Sequence, residues 1–421
     1  MRSYRHLFRT PEFTPLFLSS SAHIAASTVS GLALATLVYR ATESPLLSAV
    51  SMFGPSLAQV LGATFLLSGS DRLPPRAALA GTSLAFAAST ALLALPGLPL
   101  PAVFAVVLVQ GLVASLGGGV RWGLLTEILA KDGYLLGRSV FNMMSGIMQI
   151  AGYGIGGVVV AVLSPRLSLL LGAVLYAVAA GGVRLGLTRR PPRVSGRPSV
   201  SGTWRTNALL WSSRPRRLLY LALWIPNGFV VGCESLYVPY APQAAGTLFA
   251  CAALGMFAGD VTVGRLLSPA VRVRLGVPLL LLLATPYALF LLRPSIPLAG
   301  VAVAVASVGF GASLVQQERL MAVTPDELSG HALGLHSAGM LTMQGVGAAL
   351  AGAVAQLTSP AQGMAVMAAA SVAVTLSLAT AGLQRPSPEA PASPTPPASP
   401  TPPEPKRGVI TTDIPARPSP E

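Results

Sequence analysis

Residues 137–157 read GRSVFNMMSGIMQIAGYGIGG, and residues 330–350 read GHALGLHSAGMLTMQGVGAAL. Gly137, Gly146, Gly152 and Gly154 of the first stretch recur as Gly330, Gly339, Gly345 and Gly347 of the second, each 193 residues later. The same offset carries Arg72-Leu73 onto Arg265-Leu266. Glycine is common here, so one coincidence means little. Four in one segment, with an Arg-Leu pair in register, favour duplication. Both stretches lie in apolar segments, 139–163 and 331–356, near the length of about 20 apolar residues that crosses a bilayer core. Ten further segments follow the same rule, at 14–38, 46–67, 77–95, 101–126, 167–187, 218–240, 243–265, 275–292, 297–317 and 361–383. The sequence therefore predicts an all-α membrane protein with twelve transmembrane helices in two pseudo-symmetric six-helix bundles. Parallel six-helix repeats are a transporter plan.

Composition agrees. Charged residues make up 10% of the chain, against about 25% in soluble domains. Hydrophobic residues make up 52%, and the mean hydropathy is +0.65. A soluble chain of 421 residues could not cover its surface with so few charges. The net charge of +14 does not point to nucleic acid, because of where it sits. With the amino terminus in the cytoplasm, Arg2, Arg5, Arg9, Arg72, Arg76, Lys131, Arg138, Arg265, Arg272, Arg274 and Arg319 fall at cytoplasmic ends. Only Arg40, Arg166 and Arg293 fall on the other side. That is the positive-inside pattern of an inner-membrane protein with both termini cytoplasmic. Arginine greatly outnumbers lysine, which fits a bacterial chain from a GC-rich genome. Cys233 and Cys251 lie inside spans and read as small apolar residues. The first span is too long for a signal-peptide core and is expected to remain as a helix.

The expected organisation is a first bundle at 1–187, a cytoplasmic basic linker at 188–217, a second bundle at 218–383 and a tail at 384–421. The linker is polar, broken by prolines and without apolar periodicity. The tail repeats ASPTPP at 392–397 and 398–403, and such a segment cannot bury enough apolar surface to order itself. No enzyme emerges. There is no Walker-type phosphate loop, no His/Cys set with metal spacing and no G-x-S-x-G elbow, so neither metal nor cofactor is expected.

Ionisable groups inside spans are expensive and mark function first. Glu234 in the seventh span is the sharpest case: a carboxylate there could exchange a proton or hold a cationic substrate. Asn227, seven residues earlier, shares its helix face, and Tyr237 lies one turn beyond. Pro226 and Gly228 invite a kink. In the first span His23, Ser27 and Ser30 form one polar stripe. In the fourth, Gln110 and Arg121 are eleven apart and share a face. His23 and Arg121 also suit plain structural roles, a hydrogen-bonded histidine and a snorkelling or paired arginine. Asp260 lies in the last third of the eighth span, and Glu127 and Glu318 end the fourth and tenth. Symmetry suggests matched cytoplasmic latches, Arg72 with Glu127 and Arg265 with Glu318. Gly152 and Gly156 form a GxxxG pattern for close helix approach, with Gly157 and Gly345 in the same class. His336 and Gln344 suit hydrogen bonds between helices.

The layout resembles the major facilitator superfamily over about residues 5–385. The loop Leu67-Ser68-Gly69-Ser70-Asp71-Arg72-Leu73-Pro74-Pro75-Arg76 is similar to its first signature, with Asp71, Arg72 and Arg76 matching and Leu67 and Pro74 replacing glycines. Gln110-Gly111 resembles a second signature, whose arginine is Val107 here. Gly152, Gly156 and Gly157 resemble the exporters' antiporter signature, whose proline is Tyr153 and whose first glycine is Met148. The start LFRTPEFTPLFLSSS is similar to the drug- and natural-product-exporter branches. The resemblance implies a central cavity between spans one, four, seven and ten, lined by His23, Gln110, Arg121, Asn227 and Glu234. It implies that the Asp71–Arg76 loop gates the cytoplasmic side. The expected function is alternating-access export of a small amphiphilic compound driven by proton entry, by a monomer in the lipid bilayer. Uptake of a small nutrient, or a sensor or assembly role on the same fold, are the alternatives. A cavity built mostly of Ala, Gly, Leu and Val is expected, which suits apolar or amphiphilic cargo rather than sugar.

Overall fold

The computed structural model describes residues 4–70, 74–129, 131–191 and 200–383. Among the described residues there is no strand, and twelve principal helices follow the expected spans. They are α1 (Phe13–Thr42), α2 (Pro45–Ser70), α3 (Pro75–Leu93), α4 (Leu100–Ile128), α5 (Lys131–Val162) and α6 (Pro165–Gly186). The second half holds α7 (Arg214–Ser235), α8 (Ala245–Val261), α9 (Pro269–Ala284), α10 (Ile296–Val308), α11 (Ser329–Leu357) and α12 (Pro360–Leu378). With their continuations, eleven of these are long and apolar enough to cross a membrane, and α4 contributes the shorter apolar stretch Leu100–Ser115. Large apolar side chains point outward, Leu185 at 90% exposure and Leu357 at 86%. In water such a surface would drive aggregation; in hydrocarbon it is the solvent-facing side.

Sequence chemistry sets the helix ends. Pro165 and Pro360 open α6 and α12, where a missing N–H costs nothing. Ser164 and Ser359 cap them, accepting from the N–H groups of Leu167 (3.2 Å) and Gln362 (3.3 Å). These matched caps are a further trace of the duplication. The second half is the less regular one. α7 breaks after Ser235 and resumes as the single turn Tyr237–Tyr240. α9 tightens into a 3-10 segment, Thr285–Leu292, and α8 ends in a π turn, Thr262–Leu266. α10 passes through Gly309–Gly311 into Ala312–Ala322.

Within the first half α1 packs on α5 and α6, α3 on α6, and α2 on α4. Within the second, α7 packs on α11 and α12, and α8 on α10. The halves join in one compact unit, Met1–Arg385, chiefly through α2 against α11 and α5 against α8. The repeat maps the second helix onto the eighth and the fifth onto the eleventh, so these two interfaces are images of each other. Glycine permits both. A Cβ at Gly157 would lie 2.6 Å from the Gly246 Cα across the α5–α8 contact. Gly345 packs against the Leu57 side chain across α2–α11. Gly152 and Gly156 serve the first half itself, against Thr28 and Val29. At the end of the bundle holding the α1–α2 and α11–α12 turns, Ser44 Oγ donates to Gln356 Oε1 (2.7 Å). Nearby, the Tyr39 hydroxyl donates to the Pro239 carbonyl (3.4 Å).

The linker differs from expectation, because Val200–Ser212 is a helix. Its apolar residues are too few to show periodicity, but Leu210 is fully buried and Trp211 stacks on Trp224 at 5.6 Å. Tertiary packing supplies what the local pattern lacks. The tail expected at 384–421 lies outside the described residues.

Candidate functional site

A cavity of about 440 Å³ lies among α1–α6, with α11 closing one side. His23, Ser27 and Ser30 reach it from α1, and Ser51, Ser56 and Gln59 from α2. Thr82, Phe86 and Thr90 line it from α3, and Gln110 and Arg121 from α4. Tyr153, Tyr176 and Gln344 come from α5, α6 and α11. Three of the expected lining residues, His23, Gln110 and Arg121, are therefore brought together. Asn227, Glu234 and Tyr237 are not among the lining residues. The reason is packing: α11 lies on α7, with Gly228 against the Met343 backbone and Gly339 against Trp224, so α11 takes the place expected of α7. The wall is also more polar than expected. The small apolar residues are spent on helix contacts and the lipid face, while Ser, Thr and Gln converge inward.

The cavity has an ordered aromatic wall. Phe86 and Tyr176 stack at 5.2 Å, and the His23 ring meets both edge-on, at 5.5 and 5.0 Å. The Gln110 side-chain amide donates to Ser89 Oγ (2.8 Å) and Thr90 Oγ1 (3.2 Å), fixing its orientation. Ser27 Oγ donates to the Ile24 carbonyl of its own helix (2.9 Å), and Ser30 packs against Gly172. His23 Nδ1 is buried without a hydrogen-bond partner among the described residues. Arg121 lies within electrostatic range of His23 and has no ion-pair or hydrogen-bond partner among the described residues.

Glu234 forms a second centre. It is 7% exposed, and its Oε1 has no hydrogen-bond partner among the described residues. Tyr153 of α5, Tyr237 beyond the α7 break and Tyr287 of the α9 continuation lie within electrostatic range of it. Tyr237 and Tyr287 hydrogen-bond to each other at 2.6 Å, and the Cys233 thiol donates to the Met364 carbonyl (3.3 Å). Tyr153 belongs to both centres, because it also lines the cavity. Asn227 is 9% exposed and its Oδ1 is unpartnered among the described residues. The Ser371 hydroxyl donates to the Pro226 carbonyl (3.3 Å), beside the proline that interrupts the α7 bonding pattern.

At the ends of the helices that carry the amino-terminal segment and the linker, one expected charge pair is replaced and the other, Arg72 with Glu127, falls outside the described residues. Asp71 and Arg72 lie outside the described residues. Arg190 meets Glu127 at 3.7 Å and Glu12 at 2.9 Å, tying the linker to α1 and α4. Glu318 pairs with Arg272 at 3.3 Å rather than Arg265, which is exposed in the π turn. Unwinding into that turn carries Arg265 out of register with α10, while Arg272, one element later, faces it. Arg76 donates to the Arg184 carbonyl, and Asp260 is exposed at the end of α8.

Gln59, Phe86, Tyr153 and Tyr176 were not anticipated as lining groups. The spacing of Phe86 and Thr90, one turn apart in an otherwise small-residue helix, is the signal that was there to find. Gln344 was expected between helices and instead reaches the cavity.

No protein-family model and no curated protein sequence matches the chain. Solved structures do. One is a POT family transporter in complex with 5-aminolevulinic acid, at TM-score 0.71 and 10% identity, covering 87% of this chain and 95% of that one. The nucleoside transporter NupG matches at TM-score 0.69 and 13% identity, covering 87% and 98%. A bacterial homolog of the human lysosomal transporter Spinster, in an inward-facing, unoccupied conformation, matches at TM-score 0.66 and 13% identity, covering 90% and 96%. At these identities the likeness establishes a shared fold over most of each chain.

Proposed function

We propose that this chain is a secondary transporter that exports a small amphiphilic organic compound by alternating access, driven by proton entry. The observation that carries the reading is a small-molecule-sized cavity beside a buried carboxylate whose Oε1 has no partner among the described residues, with Tyr153 shared between them. The cavity falls within the range of about 300–1,000 Å³ typical of ligand sites. The fold shared with peptide and nucleoside transporters supports transport. The antiporter-like glycines of α5 support export over uptake. In this reading the two six-helix halves rock about the α2–α11 and α5–α8 contacts, exposing the cavity to each side in turn. Protonation of Glu234 changes the relative stability of the two facing states, and only such differential affinity couples one flux to another. The charged ends, from Asp71–Arg76 to Glu127, Asp260, Arg265 and Glu318, form the gate facing the cytoplasm. The chain works as a monomer in a bacterial inner membrane with both termini cytoplasmic.

The test is retention of labelled amphiphilic compounds by cells expressing wild type or Glu234→Gln, with and without a proton uncoupler. Export requires lower retention with wild type, lost in the variant and with uncoupler. Higher retention with wild type turns the reading to uptake, and no difference for any compound rejects transport of that class.

A further inference from the structure

The charge of the cavity narrows its ligand. Among its described lining residues there is one full cation, Arg121, and no carboxylate. Arg121 is partly exposed and faces the cavity, and a guanidinium held there away from bulk water favours a ligand that completes its hydrogen bonds. Here no side chain among the described residues does so. The planar guanidinium fork fits an oxyanion with two parallel hydrogen bonds. His23 lies within range of the same place, with an unsatisfied ring nitrogen. Beside these polar groups stands the flat Phe86–Tyr176 wall, suited to an aromatic or other apolar body. Gln110 and Arg121 are eleven residues apart on one helix, about 16 Å along its axis, so the cavity is elongated along α4.

We propose that the cavity binds an amphiphilic organic anion, its oxyanion headgroup held by Arg121 with His23 and its apolar body laid along Phe86 and Tyr176. This rests on the reading of the cavity as the transport site, and of the two options open for Glu234 it keeps proton exchange and sets aside a cationic cargo. Glu234 is set apart from the cavity and left free to carry a proton. A cationic cargo would meet the Arg121 charge with no acid among the described lining residues to offset it.

The test uses three fluorescent probes sharing one body: dansylglycine (carboxylate), dansylglycinamide (neutral) and dansylcadaverine (cation). Each is titrated into the purified full chain in lipid nanodiscs, with empty nanodiscs subtracted. Saturable dansylglycine binding is expected, with the amide roughly ten- to a hundredfold weaker, the range for losing a hydrogen-bonded charge. The amine is expected to bind no better than the amide. Arg121→Gln should bring dansylglycine down to the amide's affinity while leaving the amide unchanged, and Arg121→Lys should keep part of the preference. The comparison among probes on wild-type protein needs no variant to fold. Equal binding of acid and amide, preference for the amine, or no saturable binding of any probe would overturn the proposal. Failure here differs from failure of the transport reading. Energised export of dansylcadaverine would keep transport and remove the anion site, whereas Arg121-dependent dansylglycine binding without flux would do the reverse.

Discussion

Glu234 and Arg121 are opposite charges placed in separate surroundings, and the proposed tasks of the two are separate as well. Glu234 sits among Tyr153, Tyr237 and Tyr287, beside a helix break, with no cation bonded to it among the described residues. Glu234→Gln is expected to keep ligand binding and ligand exchange across the membrane while losing accumulation against a gradient. Equilibrium binding and counterflow in vesicles check the two halves of that statement. Tyr287→Phe removes one side of the 2.6 Å bond to Tyr237 in a fully buried position. It should lower stability by about 1 kcal/mol, read as earlier thermal unfolding in detergent. Glu234 was legible in the sequence because a lone carboxylate in an apolar run is conspicuous. Its tyrosine partners were not, since Tyr153 and Tyr287 are brought to it by packing over long sequence separations.

Among the helices, one close constraint is the crossing of α5 and α8, where Gly157 and Gly246 stand backbone to backbone. A methyl group at Gly157 would have to push the two helices apart, because what it meets is main chain rather than a movable side chain. Gly157→Ala is therefore expected to destabilise by about 1–3 kcal/mol, as overpacking does. Gly81→Ala in α3 meets nothing within 4 Å and should be neutral or slightly stabilising. Thermal unfolding of the two variants side by side measures the difference. The spans were legible because bilayer thickness fixes helix length. The helix at Val200–Ser212 was not, since its order comes from Leu210 and Trp211 docking on α7 and neighbouring residues. The Arg272–Glu318 pair was also hidden, because the π turn after α8 shifts the register that the repeat implied. Such half-exposed pairs contribute about 0–1 kcal/mol, so Glu318→Gln should change stability little.

For the molecule as a whole, alternating access demands that contacts between the halves break and re-form. Ser44 and Gln356 touch across them, beside the α1–α2 and α11–α12 turns. With Cys251→Ala removing the less buried native thiol, Ser44→Cys and Gln356→Cys joined by a short thiol cross-linker should stop transport. Reduction of a cleavable linker should restore it. Transport that continues at full rate with the link in place would mean that the halves do not separate there. The two-bundle plan was readable from the twelve apolar spans together with the glycine and Arg-Leu register. The cavity was readable only in part, because duplicated helices do not contribute equally: α11 reaches it with Gln344, whereas α7 is covered.

The most direct measurement is compound-dependent proton movement in liposomes holding the purified chain and a trapped pH-sensitive dye. With an imposed pH gradient, adding a transported amphiphile should move protons in wild-type vesicles and in neither Glu234→Gln nor protein-free vesicles. Proton movement that is the same in wild-type, Glu234→Gln and empty vesicles for every compound would contradict proton-coupled transport by this chain.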